Sequence, residues 1–561
     1  MSKQLRIWLF ILLGSLLVSS SLLAEGVITM TTSRTVGAKI FLKIEANGNF
    51  TIEGVKIVYY ADGGFDYILT SQKVTIRGDV TKLNCESTRS KGNSLTSLDV
   101  SGCPSLTELN CLYNYLTSLN VSGCTALTKL NCSVSRLTSL NVSGCTALTK
   151  LDCSGNRLTS LNVTGCTALT SLDCAWNQLT SLDVSDCTAL TDLRCSWNQL
   201  TSLDVSDCTS LKWLECKTNQ RISLKASGCT ALTELDCNEW NLKSLDVSGC
   251  TSLTKLYCFS NQLTSLNASG CTALTTLGCP NNQLTSLDVS GCTALTKLDC
   301  HNNQLTNLDV SGCIFLTYLE CSSNNLATLD VTGCYSLESL SCEKNQLTSL
   351  NILDCPSLWS LRCSNNQLSY LDLSKNTGLE VLYCVDNQLT SLNLSGYTSL
   401  TELWCEGDQL TSLDVSGCTA LTKLACNGNQ LSLNASGCTA LTKLNCDYSQ
   451  LTSLDVSDCT ALKELYCRES QLTSLNASGC TALKELYCGE SQLTSLDASG
   501  CTALTKLYCG RNPLTNINLS GCQSLKEFSW TGGKLTSLNV LGCTALTTLN
   551  CGSNQLTSLN V

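Results

Sequence analysis

The sequence is poor in the residues on which catalytic and metal sites usually depend. It has a single histidine, His301, among 561 residues, and no two cysteines have CxxC spacing. His-based metal centres and catalytic groups need several convergent, non-identical side chains, and no phosphate-binding glycine loop is present. We therefore predict no enzyme, no metal and no cofactor, and we interpret His301 as a surface residue.

Clustered positive charge is also missing. The formal net charge is -10, the pI is near 4.8, and the charged residues are spread along the chain. Nucleic acids and anionic membrane surfaces select proteins with clustered Lys and Arg. The sequence therefore predicts a partner that is neither a nucleic acid nor a membrane.

Only one apolar run of membrane-spanning length occurs, and it lies at the N-terminus. Lys3 and Arg6 precede this run, which covers residues 7–24 and is typical of a signal peptide. We predict that residues 1–24 are a signal peptide cleaved near Ala24, with an uncleaved anchor as the alternative. The expected location is secreted or cell-surface, without membrane insertion after the signal is removed.

What the chain has instead is a 21-residue unit that recurs from about residue 80 to residue 561. In the copy that begins at Leu148, apolar or special residues occupy positions 1, 4, 6, 9, 11, 14, 16 and 19. A unit this short cannot bury its own apolar face, so copies must stack on one another. We predict a solenoid of about 22 coils at residues 80–561. Residues 25–79 alternate apolar and polar side chains and are expected to form a small β cap over the first coil.

Forty-two cysteines fall into two slots of this repeat. Twenty-two occupy position 6, in the expected strand, and twenty occupy position 19, on the return side; we call them strand cysteines and return cysteines. The two slots are lost independently, because Asn376 and Tyr397 replace return cysteines and Trp530 replaces a strand cysteine. Stacked cysteines fit the dihedral angle of a disulfide poorly. We interpret most of them as buried thiols in two ladders, with paired disulfides as the alternative.

The first half of each unit reads L-x-x-L-x-C-x-x-N-x-L. Its residues 3–5 alternate as a short strand, so successive coils predict one parallel sheet on a concave side. Asn at position 9 is expected to bond backbone groups of its own and adjacent coils, with looser coils where Trp240, Asp408 or Gly533 replaces it. The second half predicts short extended or 3-10 segments on a convex side.

These motifs resemble leucine-rich repeats, and the chain is similar to bacterial surface proteins of the internalin type. It resembles the internalin J branch, whose 21-residue repeats carry a cysteine ladder; the coil from Leu368 to Cys384 follows that pattern, with Asn376 in the return slot. The resemblance covers about 480 residues. It implies a mainly β leucine-rich-repeat solenoid and an exported adhesin or host-interaction protein. The second cysteine per coil and the β-type cap depart from internalins, which have a helical cap, so no particular partner is transferred.

Aromatic residues mark the candidate binding surface. Positions 3, 5, 7 and 8 point outward from the predicted sheet and vary most between copies. Exposed aromatic patches are common binding anchors. The other interpretation is that Leu-Tyr-Cys was copied with its coil and that Tyr suits an exposed strand. The predicted ligand-binding residues are Tyr383, Trp404, Tyr466, Tyr487 and Tyr508 at position 5, Trp176 and Trp197 at position 8, and Trp213 nearby.

The pattern as a whole favours a binding protein. We predict a monomer that recognises a protein or a glycan on host or neighbouring cells through the concave face. The alternative is a structural spacer or cell-envelope scaffold, in which uniform coils merely supply length. Substitutions discriminate between the two, because only a binder concentrates their effects at the concave aromatic residues.

Overall fold

The computed structural model describes residues 26–61, 64–87, 92–219 and 223–561. The predicted signal peptide at residues 1–24 lies outside the described residues. Contacts between residues divide the chain into two compact units, Met1–Gln220 and Arg221–Val561. All regular elements of the described residues are β-strands, and none of these residues forms a helix suited to crossing a bilayer.

The first unit begins with a small antiparallel cap. Its strands are β1 (Val27–Thr32), β2 (Lys39–Ala46), β3 (Thr51–Glu53), β4 (Val55–Ala61), β5 (Gly64–Leu69) and β6 (Lys73–Arg77), and the first coil follows with β7 (Val80–Asn84) and β8 (Leu95–Asp99). In β2, Ile44 lies opposite Leu83 of β7, and in β1, Met30 lies opposite Leu98 of β8. The cap thus covers the edges of both sheets of the first coil, which would otherwise expose unpaired backbone groups. The exact boundary between residues 79 and 80 stays a prediction.

Parallel strands from successive coils form the strand-side sheet of the first unit. Position 4 is in register throughout, so that Leu130 pairs with Leu109 on one side and with Leu151 on the other. The strands after β7 are Glu108–Asn110, Lys129–Asn131, Lys150–Asp152, Ser171–Asp173, Asp192–Arg194 and Trp213–Glu215. The return strands after β8 are Ser118–Asn120, Ser139–Asn141, Ser160–Asn162 and Ser202–Asp204.

The second unit repeats this architecture, with the same pairing of position 4 residues from Leu235 to Leu549. Its strand-side strands are Glu234–Asp236, Lys255–Tyr257, Thr276–Gly278, Lys297–Asp299, Tyr318–Glu320, Ser339–Ser341, Ser360–Arg362, Val381–Tyr383, Glu402–Trp404, Lys423–Ala425, Lys443–Asn445, Glu464–Tyr466, Glu485–Tyr487, Lys506–Tyr508, Glu527–Ser529 and Thr548–Asn550. Its return strands are Ser223–Lys225, Ser244–Asp246, Ser265–Asn267, Ser391–Asn393, Ser412–Asp414, Ser432–Asn434, Ser453–Asp455, Ser474–Asn476, Ser495–Asp497, Asn516–Asn518, Ser537–Asn539 and Ser558–Asn560. The return segments described here are therefore extended rather than 3-10.

Leucines and cysteines fill the interior of both units. Of all 42 cysteines, which lie within the described residues, every one is a free thiol and only Cys551 is not fully buried. Cys132, Cys153 and Cys174 follow paired position 4 leucines and are neighbouring rungs, as predicted. Burial disfavours the charged thiolate; with a smaller contribution from Glu86, it raises the pKa of Cys85 to about 12. Cys85 is therefore an unreactive component of the core.

The asparagines at position 9 join neighbouring coils, as predicted. The Asn303 side chain donates hydrogen bonds to the carbonyl oxygens of Cys300 in its own coil and Cys279 in the preceding coil, at 3.0 and 3.1 Å. Its Oδ1 accepts the backbone N–H of Leu284 at 3.0 Å. Each such residue thus satisfies buried backbone groups of two coils, which would be costly to leave unpaired.

The return cysteines also act as hydrogen-bond donors. The Sγ atoms of Cys271 and Cys418 each lie 3.2 Å from a carbonyl oxygen of the preceding coil, on Val247 and Leu394 respectively. A thiol is a weak donor, yet these carbonyls are buried and need a partner. The interpretation of the cysteines as small apolar residues is therefore incomplete for this ladder.

Candidate functional site

The outward-facing positions of the strand-side sheet carry the candidate binding residues. Within each three-residue strand the central leucine is buried, while positions 3 and 5 are partly exposed, as at Glu464 and Tyr466. This alternation follows from the two-residue period of a strand. Because the coils are in register, side chains at one position form a row along the unit. We call the surface that carries positions 3, 5 and 7 the strand-side face.

Three consecutive coils place tyrosines in one stack on this face. Tyr466 and Tyr487 have ring centroids 5.0 Å apart and planes inclined by 7°, and Tyr487 and Tyr508 have values of 4.9 Å and 2°. All three side chains are half-buried. We call these residues the tyrosine stack. Parallel strand pairing fixes the spacing, and aromatic pairs contribute about 0.5–1.5 kcal/mol beyond burial.

Carboxylates hold the hydroxyl ends of the tyrosine stack. The Tyr508 hydroxyl donates to Glu527 Oε2 at 2.6 Å, and the Tyr487 hydroxyl donates to Glu485 Oε2 at 3.2 Å. The Tyr466 hydroxyl donates to Glu464 Oε2 at 3.3 Å. Burial, followed by the charge of Glu464, raises the pKa of Tyr466 to about 12. The phenols therefore stay neutral at physiological pH.

Lysines pair with two of these carboxylates across neighbouring coils. Lys443 Nζ lies 2.9 Å from Glu464 Oε2, and Lys506 Nζ lies 3.2 Å from Glu485 Oε1. Lys443 also lies 5.2 Å from the centroid of the Tyr466 ring. Exposed ion pairs add little stability, so we regard these contacts as ordering the polar border of the stack.

Arg468 is anchored beside the stack by a buried partner. Its Nε and Nη2 atoms donate to Asp447 Oδ2 at 3.0 and 2.6 Å, and its backbone N–H donates to Asp447 Oδ1 at 2.6 Å. The Asp447 side chain is only 6% exposed. The hydrogen bonds to Asp447 raise the pKa of Arg468 further above its ordinary value. The guanidinium is thus fixed 5.7 Å from the centroid of the Tyr487 ring.

A second aromatic pair occupies position 5 earlier in the same unit. Tyr383 and Trp404 have ring centroids 5.7 Å apart at an angle of 53°. The Arg362 guanidinium lies 4.7 Å from the centroid of the Tyr383 ring. The Tyr383 hydroxyl donates to Glu402 Oε2 at 2.8 Å. Since Ala425 and Asn445 occupy position 5 in the next two coils, this pair is separated from the tyrosine stack by two rungs.

The predicted tryptophan site of the first unit is a pair rather than a triplet. Trp176 and Trp197 stack with centroids 4.3 Å apart and planes inclined by 9°, and they are 58% and 46% exposed. Both have φ near +57°, a left-handed conformation that disfavours large side chains. Trp213 is 43% exposed at position 3, and the described residues show no ring contact between it and the pair.

Sequence reasoning missed a further aromatic surface in the first unit. Tyr113 and Tyr115, which are 59% and 47% exposed, line a cavity of about 590 Å³ together with Val134. Tyr113 and Val134 belong to the same position 8 row as Trp176 and Trp197. Inspecting position 8 in every coil, rather than its tryptophans alone, would have found them.

The single histidine, His301, is partly exposed and contacts one carboxylate. Its Nδ1 atom lies 2.7 Å from Asp299 Oδ1, and its side chain is 37% exposed. In the part of the chain that the structure describes, no group of three or more His, Cys, Asp or Glu side chains is arranged to hold a metal ion.

Comparison with known proteins identifies the repeat. The family model for leucine-rich repeats in two copies matches residues 272–313. A solved functional domain of InlJ from Listeria monocytogenes, which includes a cysteine ladder, is 31% identical to this chain; the match covers 72% of each chain with a TM-score of 0.35. A search of curated proteins gave no match.

Two other solved structures also match this chain. YopM from Yersinia enterocolitica is 25% identical, covering 80% of this chain and 91% of its own, with a TM-score of 0.46. The plant peptide hormone receptor RGFR1, solved in complex with RGF2, is 20% identical, covering 86% of this chain and 93% of its own, with a TM-score of 0.53. The RGFR1 match shows the fold alone. The 31% identity to the InlJ domain and the 21-residue cysteine ladders carry the assignment: the chain belongs to the leucine-rich-repeat proteins of the internalin-like, cysteine-ladder type.

Proposed function

We propose that this chain is an exported surface protein that binds a protein or glycan partner through the strand-side face of its second unit. The observation that carries the proposal is the tyrosine stack, in which three consecutive half-exposed rings are held by Glu464, Glu485 and Glu527. Rigid aromatic groups lose little entropy when they bind. A preordered patch of this kind is typical of a binding anchor.

Support for export comes from the sequence. Lys3, Arg6 and the apolar residues 7–24 have the order of a signal peptide. The proposed destination is the cell surface or the medium, where the partner would sit on host or neighbouring cells. N-terminal sequencing of the protein recovered outside the expressing cell tests this step. A mature N-terminus close to residue 25 is expected, and an intact Met1 on membrane-bound protein would favour an uncleaved anchor.

A binding role fits the architecture better than catalysis. Repeat solenoids generally offer extended surfaces to partners, and the polar groups of this chain recur in rows rather than converging on one reacting atom. The RGFR1 structure is a complex with RGF2, which illustrates such use of the fold. For this chain the absence of enzymatic activity and the monomeric state stay predictions.

Adhesion of a matched set of variants tests the proposal. The test variant replaces Tyr466, Tyr487 and Tyr508 by serine in the full mature chain. The control is Tyr335→Ser, which makes the same chemical change at a residue that is 60% exposed on the return side of the same unit. We expect the triple variant to lose at least about tenfold in affinity for target cells while the control is unchanged. Equal adhesion of all folded variants would remove the tyrosine stack from consideration.

The alternative is a structural spacer. The coils that carry Tyr466 and Tyr487 are nearly identical, with Thr-Ala-Leu-Lys-Glu-Leu-Tyr-Cys in both, which favours recent duplication. A spacer predicts that removal of whole coils shortens the reach of the chain without affecting its attachment. A binder predicts that loss of the tyrosine-bearing coils abolishes attachment, whereas loss of an equal number of other coils does not.

The tryptophan pair of the first unit is a second proposed patch. Trp176 and Trp197 are the most exposed stacked rings of the described residues, and they retain large side chains at left-handed positions where glycine would be less strained. Replacing both by serine tests this patch separately from the tyrosine stack. A reduction in adhesion in this variant alone would assign binding to the first unit instead.

A further inference from the structure

The tyrosine stack offers ring edges and hydroxyls to a ligand rather than ring faces. Both faces of Tyr487 are covered, because its neighbours lie 5.0 and 4.9 Å away in nearly parallel planes. The outer side of Tyr466 carries Lys443 at 5.2 Å. A ligand that stacks flat on an aromatic face is therefore unsuited to the central ring. A suitable ligand must lie along the row and make contacts to successive rungs.

A short strip without side chains runs beside the last two rungs of the stack, whereas Arg468 occupies position 7 beside Tyr466. Position 7 is glycine next to Tyr487 and Tyr508, at Gly489 and Gly510. A Cβ atom at Gly489 would lie 3.1 Å from the carbonyl oxygen of Gly510, and one at Gly510 would lie 3.1 Å from the backbone of Thr531. These distances are shorter than ordinary van der Waals contacts, so a side chain at either position would crowd the neighbouring backbone. Glycine avoids this crowding at both positions. It follows the direction in which the coils stack.

One charged pair borders this strip on its far side. Arg511 Nη1 lies 3.1 Å from Glu490 Oε2, and both side chains are exposed. On the other side of the tyrosines, at position 3, Glu464, Glu485 and Glu527 hold the tyrosine hydroxyls and retain further lone pairs on their carboxylate oxygens. The row is thus rich in acceptors, which favours a ligand with many hydroxyl donors.

The spacing of successive rings in the stack indicates which extended polymers can match it. Side chains on one face of an extended peptide recur every ~6.8 Å, twice the rise of a strand. The rungs of the stack recur at 5.0 and 4.9 Å, so a peptide loses register within a few rungs. In extended chains such as cellulose and chitin, each sugar advances by close to the spacing of strands in a sheet. Each sugar is also turned over relative to the one before, so equivalent hydroxyls recur at every second rung. A linear glycan of this type stays in step with the coils.

We propose that the tyrosine stack and its glycine strip bind a linear β-linked hexopyranose chain, laid across the strands with one sugar per coil. The ligand lies along the edges of the three rings; the hydroxyls on one of its sides donate to Glu464, Glu485 and Glu527, and its other side faces the strip formed by Gly489 and Gly510. This inference deepens the proposed function by choosing a glycan over a protein as the partner of this patch, and it therefore rests on that function.

Titration with oligosaccharides of graded length tests the inference. The full mature chain is titrated calorimetrically with chito-oligosaccharides and cello-oligosaccharides, from the disaccharide to the hexasaccharide. One of the two series is expected to gain affinity by about tenfold from disaccharide to trisaccharide, because the third sugar reaches the third rung. The gain is expected to level off beyond the stack. Absence of binding by both series at millimolar concentration would overturn the inference.

Substitution of the middle ring provides the sharper comparison. Tyr487→Ser separates Tyr466 from Tyr508 by an empty rung, so the gain with length is expected to disappear. Tyr466→Ser leaves two adjacent rungs, so the gain is expected to stop one sugar earlier. Tyr335→Ser, on the return side, is expected to bind like the unmodified chain. Identical length profiles in folded Tyr487→Ser and Tyr335→Ser would overturn the inference.

The same variants separate this inference from the proposed function. If the triple tyrosine variant loses adhesion to cells while neither oligosaccharide series binds the unmodified chain, the glycan inference is wrong and the binding function stands. If adhesion survives the triple substitution, the proposed site is wrong as well. Circular dichroism and the midpoint of thermal unfolding establish that each variant is folded.

Discussion

The hydroxyl of Tyr397 donates a hydrogen bond of 2.6 Å to the carbonyl oxygen of Leu373, which stands 24 residues earlier in the preceding coil. Asn376, the other replacement in the return slot, donates to the carbonyl oxygen of Ile352 at 3.2 Å across the same interval. The return cysteines make the equivalent contact through Sγ, as Cys271 does with Val247. The slot therefore favours a donor as well as a buried side chain, and both Asn and Tyr supply one in place of Cys.

This relationship predicts the order of stability among variants of one return cysteine. Cys271→Ala removes both the donor and the sulfur, so the carbonyl oxygen of Val247 loses its partner in a buried position. We expect the free energy of unfolding to fall by about 1–3 kcal/mol. Cys271→Ser keeps a donor and should lose less. Urea unfolding measures both values, and a serine variant less stable than the alanine variant would argue against the donor role.

The two ladders predict a large difference between native and unfolded thiol counts. Burial raises the pKa of Cys250 to about 12, so little thiolate is present in the folded protein near neutral pH. Native protein should react with almost no Ellman's reagent. Denatured protein, purified without oxygen, should titrate all 42 cysteines. A count near zero in denaturant would mean that the cysteines are paired in disulfides.

Asp408 predicts a dependence of stability on pH. It replaces Asn in the position 9 ladder; its Oδ1 accepts the N–H groups of Leu389 and Asn387, while its buried Oδ2 has no partner in the described structure. Burial raises the pKa of this carboxyl from its ordinary value of 3.8 to about 7. The carboxyl ionises at lower pH in the unfolded chain than in the folded protein, so the contribution of Asp408 to stability is most favourable below about pH 4 and falls until about pH 7.

Asp408→Asn should remove this loss of stability as the pH rises. The amide can again donate to the carbonyls of both coils, as at Asn303, and it carries no charge. Above about pH 7 we expect the variant to be more stable by about 1–3 kcal/mol, with little difference in acid. Thermal unfolding across the pH range is the measurement. Parallel pH profiles of the two proteins would show that Asp408 is not the titrating group.

Trp530 and Gly533 form a coupled replacement of the strand cysteine and the ladder asparagine of one coil. The Trp530 side chain is fully buried, and a Cβ atom at Gly533 would lie 2.6 Å from its Nε1 atom. Gly533→Ala should therefore lower the free energy of unfolding by about 1–3 kcal/mol. The double variant Trp530→Cys with Gly533→Asn restores the consensus pair and should be more stable than the two single changes predict together. Simple additivity would contradict the coupling.

The periodicity of the sequence predicted most of the fold. A fixed 21-residue unit allows only one stacking that keeps the leucines inside, so the strands, the cysteine rungs and the roles of the asparagines followed directly. Irregular coils were harder to predict. Asn93 lies outside the regular spacing, yet it is fully buried and donates to the Cys85 carbonyl oxygen like the regular ladder residues. The insertion in this coil changes the spacing along the sequence, but Asn93 still occupies the place of a ladder asparagine.

The candidate site was predicted as a set of residues but not as a geometry. Tyr466, Tyr487 and Tyr508 were placed in one row because the coils are in register. Their parallel planes depend on side-chain rotamers chosen together with Glu464, Glu485 and Glu527, which a repeat pattern does not specify. The clamp of Arg468 by Asp447 was missed for the same reason. The coupling of Gly533 to Trp530 depends on the space available in the core. It was missed because the sequence analysis considered each replacement separately.

Hydroxyl-radical footprinting of tyrosines, read by mass spectrometry, tests most directly whether the tyrosine stack is the surface that meets the partner. The full mature chain is treated in solution and while attached to cells to which it adheres. Attachment should protect Tyr466, Tyr487 and Tyr508, whereas Tyr335 and Tyr370, exposed on the return side, should react equally in both states. Equal reactivity of the stack with and without cells, or protection confined to the return side, would contradict the account.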